Sequence, residues 1–527
     1  LNFIDESPVH VDFAQSQSKA TADMMLEAQI AVEHVRLAES TGLTLFVVGS
    51  DAVWQSVAAD FLRHMDSKAS ILRLAPVEEC TLRTPQGMAG LLVDAMLAYR
   101  SGKEALQFVA LGSAGLLAHE LALQCLMRDV PLKFASVMEG ALHDPVAPWR
   151  VDKGLTEHQG SMQDRIELHY FGQEPRAPFI ASLHTLQIHR PQPQPEIGGM
   201  TVTDAAALQF AQVWAGVHEK APATVASYQP LMTIQGGRQG AIPYFCIAGA
   251  GAGVFDFIPL ATALGEQHPV HGLVSRGMIG DSLPHGSVES AAESYVEEIV
   301  RRHPLGGVHL VGHSFGGWIA FETALLLQAR GYRVCSLLIL DSEAPAISTR
   351  VGHEYTRTES LKSLVDLYEQ AAGQSLNLGA ESFEGLGSKE QLQLLHQHLI
   401  RVRLMPGNSS FTQLQGTIRS FEAAIRTRYR PATCFNGPAF LVQVRDTKES
   451  YEASLFRHHT MAREWRRMVP ELDVLLGDGN HVTLLKAPNI GKVVHWLHGR
   501  NTSVKKVPPK RMVPQSADIY MPGNFSA

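Results

Sequence analysis

Ser314 stands between Gly312 and Gly316 in the run V-H-L-V-G-H-S-F-G-G (Val308–Gly317). A short apolar β-run meets a tight turn there, and a helix begins at once, from Gly316. A serine hydroxyl held out on a strained strand-to-helix turn is suited to nucleophilic attack on an acyl carbon. Such a turn needs neighbours without bulk, and glycine on both flanks supplies that. The N-terminal N–H groups of the following helix then lie beneath any oxyanion that develops. Gly-rich turns of this spacing also occur without chemistry, so the serine needs partners elsewhere in the chain.

The first partner is a base, and the base needs an acid to fix its tautomer and stabilise its cation. His481 closes the turn G-D-G-N-H (Gly477–His481) after the last apolar β-run and before a final helix. With 24 histidines in the chain, it is selected by this position and not by its type. His313, inside the serine turn, reads as a packed or solvated residue. Two carboxylates compete for the acid. Asp341 ends the strand after the serine helix (L-L-I-L-D-S), and Asp446 follows the next strand (L-V-Q-V-R-D-T). Each also suits an ordinary role capping a turn, and periodicity does not separate them. The oxyanion donors are expected to be backbone N–H groups, one from Phe315 and one from the loop Ala248–Gly253. That loop, A-G-A-G-A-G, lacks the glycine spacing of a dinucleotide fingerprint, which argues against a nicotinamide cofactor.

These residues require a sheet whose strands deliver them to one edge. From Tyr244 onward the apolar pattern alternates: strand Tyr244–Ile247, helix Phe257–Leu264, strand Val270–Val274, helix Val288–Arg302, the strand into Ser314, helix Gly316–Arg330 and strand Arg333–Leu340. Alternation of this kind specifies α/β with a mostly parallel sheet. Residues 345–436 then carry three amphipathic helix patterns, one opened by a Ser388…Gln391 capping box. A helical insertion at the carboxyl edge is a candidate lid. Strand Pro438–Val444, helix Ala453–Met468, strand Leu472–Leu476 and helix Ile490–Leu497 complete the pattern.

The same order occurs earlier, from Leu43–Val48 through Leu132–Met138, preceded by a helix expected over 22–37. Gly317–Ala324 (G-W-I-A-F-E-T-A) falls on Gly115–Ala122 (G-L-L-A-H-E-L-A) at a constant offset of 202, with four of eight positions identical. Two tandem copies of one α/β domain are therefore expected. We divide the chain into a linker (1–20), a first copy (21–220), a second linker (221–240), a second copy (241–500) and a disordered tail (501–527). At the offset of 202, Ser314 is matched by Gly112, the first elbow glycine by Ala110 and Asp341 by Glu139. Ser113 is displaced by one position, and the region of His189 has no G-x-G-x-H turn. The first copy reads as catalytically silent, with little or no lid between Met138 and its next strand (Ile166–Tyr170).

The bulk properties set the class. The chain has 527 residues, 45% hydrophobic and 18% charged, with a net charge of −7, which suits a globular protein and argues against a nucleic-acid partner. Its five cysteines show no paired or metal-binding spacing, so thiols in a reducing, cytoplasmic compartment are expected. No apolar run is long enough for a membrane span. The first residue is Leu1, as in a piece cut from a longer polypeptide or a trimmed tag.

Four stretches together resemble type I thioesterase domains, the α/β-hydrolase domains that release chains from nonribosomal peptide synthetases and modular polyketide synthases. They are Y-F-C-I-A-G-A-G-A-G (Tyr244–Gly253), H-L-V-G-H-S-F-G-G-W (His309–Trp318), L-L-I-L-D-S-E (Leu337–Glu343) and G-D-G-N-H-V-T-L-L (Gly477–Leu485). The resemblance covers residues 226–499, lid included, and residues 40–220 more weakly as a degenerate relative. It implies two tandem α/β-hydrolase-like domains. It also implies Asp341 over Asp446 as the acid, and Ala250 with Phe315 as the oxyanion donors. It implies no metal and no bound cofactor. The substrate it implies is an acyl chain on the phosphopantetheine thiol of a carrier protein, taken by Ser314 as an acyl-enzyme. Release to water, macrocyclisation or transfer to an external alcohol or amine would follow. A second enzymatic reading is a freestanding or editing thioesterase acting on small acyl groups, with the first domain a docking or dimerisation module. The acyl chain, the acceptor, the ring size and the oligomeric state are not specified by the sequence.

Overall fold

The computed structural model describes residues 30–37, 43–65, 69–77, 84–100, 102–138, 167–172, 186–190, 202–217, 228–278, 282–304, 306–345, 355–445 and 449–501. In chain order the first half holds β1 (Ile30–Arg36), β2 (Leu43–Val48), α1 (Asp51–His64), β3 (Ala69–Pro76), α2 (Pro85–Tyr99), β4 (Leu106–Leu111), α3 (Ala118–Met127), β5 (Leu132–Met138), β6 (Leu168–Phe171), β7 (Leu186–His189) and α4 (Val202–Val217). The second half begins with β8 (Leu231–Gln235), β9 (Tyr244–Ile247), α5 (Ile258–Leu264), β10 (Val270–Leu273), α6 (Val288–Arg302), β11 (Gly307–His313), α7 (Phe315–Ala329) and β12 (Arg333–Leu340). It continues with α8 (Arg357–Ala372), α9 (Ser388–Arg401), α10 (Leu414–Arg426), β13 (Ala439–Gln443), α11 (Tyr451–Met468), β14 (Leu472–Leu476) and α12 (Asn489–Asn501).

Each half builds its own seven-stranded sheet. The first has the order β1-β3-β2-β4-β5-β6-β7, and the second, read from its opposite edge, β8-β10-β9-β11-β12-β13-β14. The orders correspond strand for strand. In each sheet only the first strand is antiparallel, β1 to β3 and β8 to β10, and the other pairs are parallel. Parallel strands are buried on both faces, so successive residues feed two separate cores. Phe46 and Val48 pack under α2 and α3, whereas Leu45 and Val47 meet α1 and Phe210 of α4. In the second sheet Phe245 and Ile247 pack with α6, α7 and Trp465, and Tyr244 and Cys246 with α5 and α12. This is α/β in the expected sense, with two sheets.

Three expectations are corrected. Residues 30–36 of the expected first helix form β1, paired antiparallel to β3 from Ile30↔Pro76 onward. Long-range pairing outweighs helix spacing there, since Ile30, Val32 and Val35 suit either reading. The second linker is not wholly a linker, because Leu231–Gln235 is the edge strand β8 of the second sheet. The Ser388…Gln391 capping box does not form: Gly387 is the N-cap of α9, and Gln391 instead donates to Phe383 O (3.0 Å) and accepts from Arg357 Nε (2.8 Å). The first linker, Glu139, Asp446, most of the tail and the stretch between Met138 and the next strand of the first half lie outside the described residues.

The insertion between β12 and β13 has its own core, with Leu361, Leu364 and Val365 of α8 against Leu395 and Leu399 of α9 and Ile418 and Phe421 of α10. Thr356 and Glu359 cap α8 reciprocally. Helix α10 lies directly on the loop after β9, where a Cβ at Gly251 would fall 2.8 Å from Thr417 O. The far end of α8 reaches the turn after β14, with Asn480 Nδ2 donating to Gln370 O at 3.3 Å. The insertion therefore reaches both the loop after β9 and the turn of His481.

Candidate active site

Parallel strands deliver their following residues to one edge of the sheet, and β11, β12 and β14 lead respectively to Ser314, Asp341 and the turn of His481. Ser314 has φ 54° and ψ −128°, the backbone of a side chain forced out of a strand just before a helix. Its N–H donates to Leu340 O at 2.9 Å, and its carbonyl accepts from Gly317 N at 2.9 Å. The flanking glycines are sterically required: a Cβ at Gly312 would fall 2.3 Å from Gly316 O, and one at Gly316 2.3 Å from Ile247 O. Phe315 is the first residue of α7, where an N–H has no acceptor within the helix.

Asp341 and His481 meet. His481 Nδ1 donates to Asp341 Oδ2 at 2.7 Å, and Asp341 Oδ1 accepts from Val444 N at 3.1 Å. Burial pushes the Asp341 carboxyl up. The bond from His481, the charge that His481 carries when protonated, and the Val444 N–H outweigh it and hold the group below the ordinary carboxylate range. An ionised Asp341 that accepts from Nδ1 leaves Nε2 of neutral His481 as the bare acceptor, the atom a general base needs.

His313 has a role that its sequence position did not reveal. It is buried at 6% exposure, and its Nε2 lies 2.8 Å from His481 O. A carbonyl only accepts, so the proton of His313 sits on Nε2. Its ring stands 4.8 Å from that of His481. Burial, reinforced by the nearby His481, lowers its pKa to about 3, so it remains neutral and adds no charge beside His481. His313 thus ties the serine turn to the histidine turn. Ala250 lies in the loop after β9, half-buried against the insertion's core. Ala250 and Phe315 both line a cavity of about 30 Å³, roughly the space of one water.

In the first half, Gly112 has φ 55°, so the sharp backbone bend of Ser314 recurs at the matched position without a side chain. Ser113 Oγ is buried with no hydrogen-bond partner among the described residues. His189 ends β7, stacked on Phe171 with centroids 4.6 Å apart and bonded to His169 at 3.0 Å.

Residues 243–500 match the family model of the thioesterase domain, and the second half of the chain belongs to that family. Among curated proteins the chain is similar to nonribosomal peptide synthetase btyA of Aspergillus terreus, 27% identical over 51% of this chain and 29% of that protein. It is also similar to malpibaldin synthetase of Mortierella alpina, 41% identical over 19% of this chain and 2% of that protein. Chondramide synthase cmdD of Chondromyces crocatus is 31% identical over 33% of this chain and 4% of that protein. The matches span less than a third of each of these relatives. Among solved structures, a holo four-domain nonribosomal peptide synthetase, AB3403, bound to AMP and glycine, is 20% identical with a TM-score of 0.45, covering 59% of this chain and 22% of that one. The wild-type Vlm2 thioesterase domain is 21% identical with a TM-score of 0.38, covering 51% of this chain and 96% of that one. The second half is thus a thioesterase domain, an enzyme of the hydrolase class. Among the described residues no helix is long and apolar enough to cross a membrane.

Proposed function

We propose that the chain is a chain-releasing thioesterase unit of a peptide or polyketide assembly line, with Ser314, His481 and Asp341 as its catalytic residues. The observation that carries this reading is the 2.7 Å bond from His481 Nδ1 to Asp341 Oδ2, made at the sheet edge that also bears the strained Ser314. His481 Nε2 takes the proton of Ser314 Oγ as that oxygen attacks the thioester carbonyl. The carbonyl oxygen gains the negative charge, and the N–H groups of Phe315 and Ala250 donate to it. Collapse breaks the C–S bond, and His481 returns the proton to the leaving thiolate. The product of this half-reaction is an acyl ester on Ser314. Water, a hydroxyl or an amine then attacks the ester, passing its proton through His481 back to Ser314. No step calls on a metal or a resident cofactor, and the acyl chain arrives on the phosphopantetheine arm of a carrier protein.

The first half is proposed to be a silent copy of the same domain. Its matching strand order and the bend at Gly112 support common ancestry, and the glycine at that bend supports silence. The test is release of free thiol from a decanoyl-pantetheine thioester. Ser314→Ala is expected to lose release by at least a thousandfold, and Ser113→Ala to leave it unchanged. Full release by Ser314→Ala would refute the proposal.

A further inference from the structure

The two halves meet around a cavity of about 1100 Å³ that Ser314 does not line. Its walls come from α2, α3 and the loop after α3 in the first half, from the start of α6, and from α9 and α10 of the insertion. Helix α10 stands between this space and the active-site edge. It turns Ser420 and Ala424 to the small cavity beside Ala250 and Phe315, and Ile418, Glu422 and Arg426 to the large one.

The walls are joined by specific contacts. Arg276 is buried and donates through Nη1 to Asp129 and through Nη2 to Met127 O at 2.9 Å. Gly286 N donates to Met127 O at 2.7 Å, and a Cβ at Gly286 would fall 2.8 Å from Met127 Cβ. The backbones therefore approach too closely for any larger residue. Arg276 O in turn accepts from Ser420 Oγ of α10 at 3.5 Å, which links the first half to the insertion.

The lining is amphipathic with an excess of positive charge. Leu97, Leu123 and Met127 face Leu392, Phe411 and Ile418 across it. Arg100 and Lys103 come from the first half, and Lys389, Arg419, Arg426 and Arg428 from the insertion. Within the lining Asp94 pairs with Arg128 and Glu422 with Arg357 at 3.2 Å, Asp129 pairs with Arg276, and Arg419 and Arg426 also donate to the carbonyls of Gly277 and Tyr355. Glu120, Glu289 and Glu293 are the remaining acids of the lining. A cleft of this size holds a drug-sized ligand, and the net positive excess of its lining favours ions of the opposite charge.

We propose that this chamber is a second ligand site for an amphipathic organic anion, with one wall supplied by the first half of the chain. Only the identity of the anion rests on the thioesterase reading. Thioester hydrolysis yields a carboxylate on an apolar tail, and the carrier arm bears a phosphate on an aliphatic amide chain. The two share the chemistry the chamber offers, and the test separates them.

The experiment is isothermal titration of the full chain carrying Ser314→Ala, so that binding is read without turnover, with sodium decanoate, pantetheine 4′-phosphate and neutral 1-decanol. Saturable binding of at least one anion is expected, tenfold or more tighter than 1-decanol and weakened by added salt. Decanoate alone identifies the released acid, pantetheine phosphate alone the carrier arm, and binding of both a shared anion site. Arg100→Gln with Lys103→Gln, and separately the exposed Lys389→Gln, should each weaken binding tenfold. Melting temperature and, in the Ser314 background, thiol release should stay as in the parent. Absence of saturable binding, equal binding of 1-decanol, or unchanged binding in both wall variants would overturn the proposal. None of these outcomes touches the thioesterase reading, which acyl-enzyme formation at Ser314 tests separately.

Discussion

Replacing Asp341 by asparagine tests the proposed mechanism at its acid, because shape is kept while one acceptor becomes a donor. Asp341 has two obligations: Oδ1 accepts from Val444 N at 3.1 Å, and Oδ2 accepts from His481 Nδ1 at 2.7 Å. Asparagine has one accepting oxygen and one donating NH₂. Val444 N–H only donates, so the oxygen stays with it and the NH₂ turns toward His481. Nδ1 must then accept, the ring proton moves to Nε2, and Nε2 no longer takes a proton from Ser314. In a Ser–His–Asp site this change lowers kcat by about 10⁴, equivalent to about 5 kcal/mol of barrier. The His481 side chain is 25% exposed, so water offers some relief, and the expected loss is about 10³ to 10⁴. The assay is thiol release from decanoyl-pantetheine under saturating substrate, with KM little changed and partial recovery at high pH. Asp446→Asn should remain within a few-fold of the parent. An Asp341→Asn enzyme within tenfold of the parent would refute the tautomer argument.

Gly312→Ala places a Cβ 2.3 Å from Gly316 O and 2.6 Å from Gly317 Cα, both backbone atoms that cannot swing aside. It should cost about 3 kcal/mol or more of stability and nearly all activity, read by urea denaturation and thiol release; a wild-type midpoint would contradict the geometry. Acid should destabilise the fold through buried neutral histidines. His313 titrates near 3 and His119 and His309 near 4 when folded, against about 6.5 unfolded. Between those values the unfolded chain binds more protons, so stability falls as pH drops from about 6.5, by up to about 1.4 kcal/mol per pH unit for each group. The low pKa of Asp341 acts in the same direction only below about pH 4, and the raised carboxyls of Glu120 and Glu289 act oppositely. The difference between the parent and His313→Gln therefore isolates one histidine: Gln still donates to His481 O, and its urea midpoint should depend less steeply on pH between 6 and 4. Identical pH slopes would contradict a neutral buried His313.

How much of this was legible from sequence follows from the range of each interaction. The central strands read correctly because burial on both faces makes them short continuous apolar runs, as in Leu106–Leu111 and Tyr244–Ile247. The serine turn read correctly because its glycine requirement is local. The antiparallel edge strands did not: β1 and β8 have mixed faces and gain their conformation by pairing with β3 and β10. Helix α4 went unassigned, although Phe210 and Trp214 complete a core on the first sheet. The choice of Asp341 over Asp446 came from family resemblance, since the contact with His481 joins residues 140 apart and leaves no periodic trace. His313 is packed, as one of the two expected alternatives, but its bond to His481 O was not foreseen for the same reason, because that partner is a carbonyl on a distant turn. The chamber was invisible, for its walls are the faces of helices brought together only by the packing of two halves.

The most direct test of the central claim is intact-mass and peptide-mass analysis of the chain after brief incubation with a non-hydrolysed decanoyl fluorophosphonate or a carrier-linked acyl thioester. The account predicts one adduct per chain, carried by the peptide containing Ser314 and absent from Ser314→Ala. An adduct on Ser113 or any other residue, or undiminished labelling of Ser314→Ala, would contradict it.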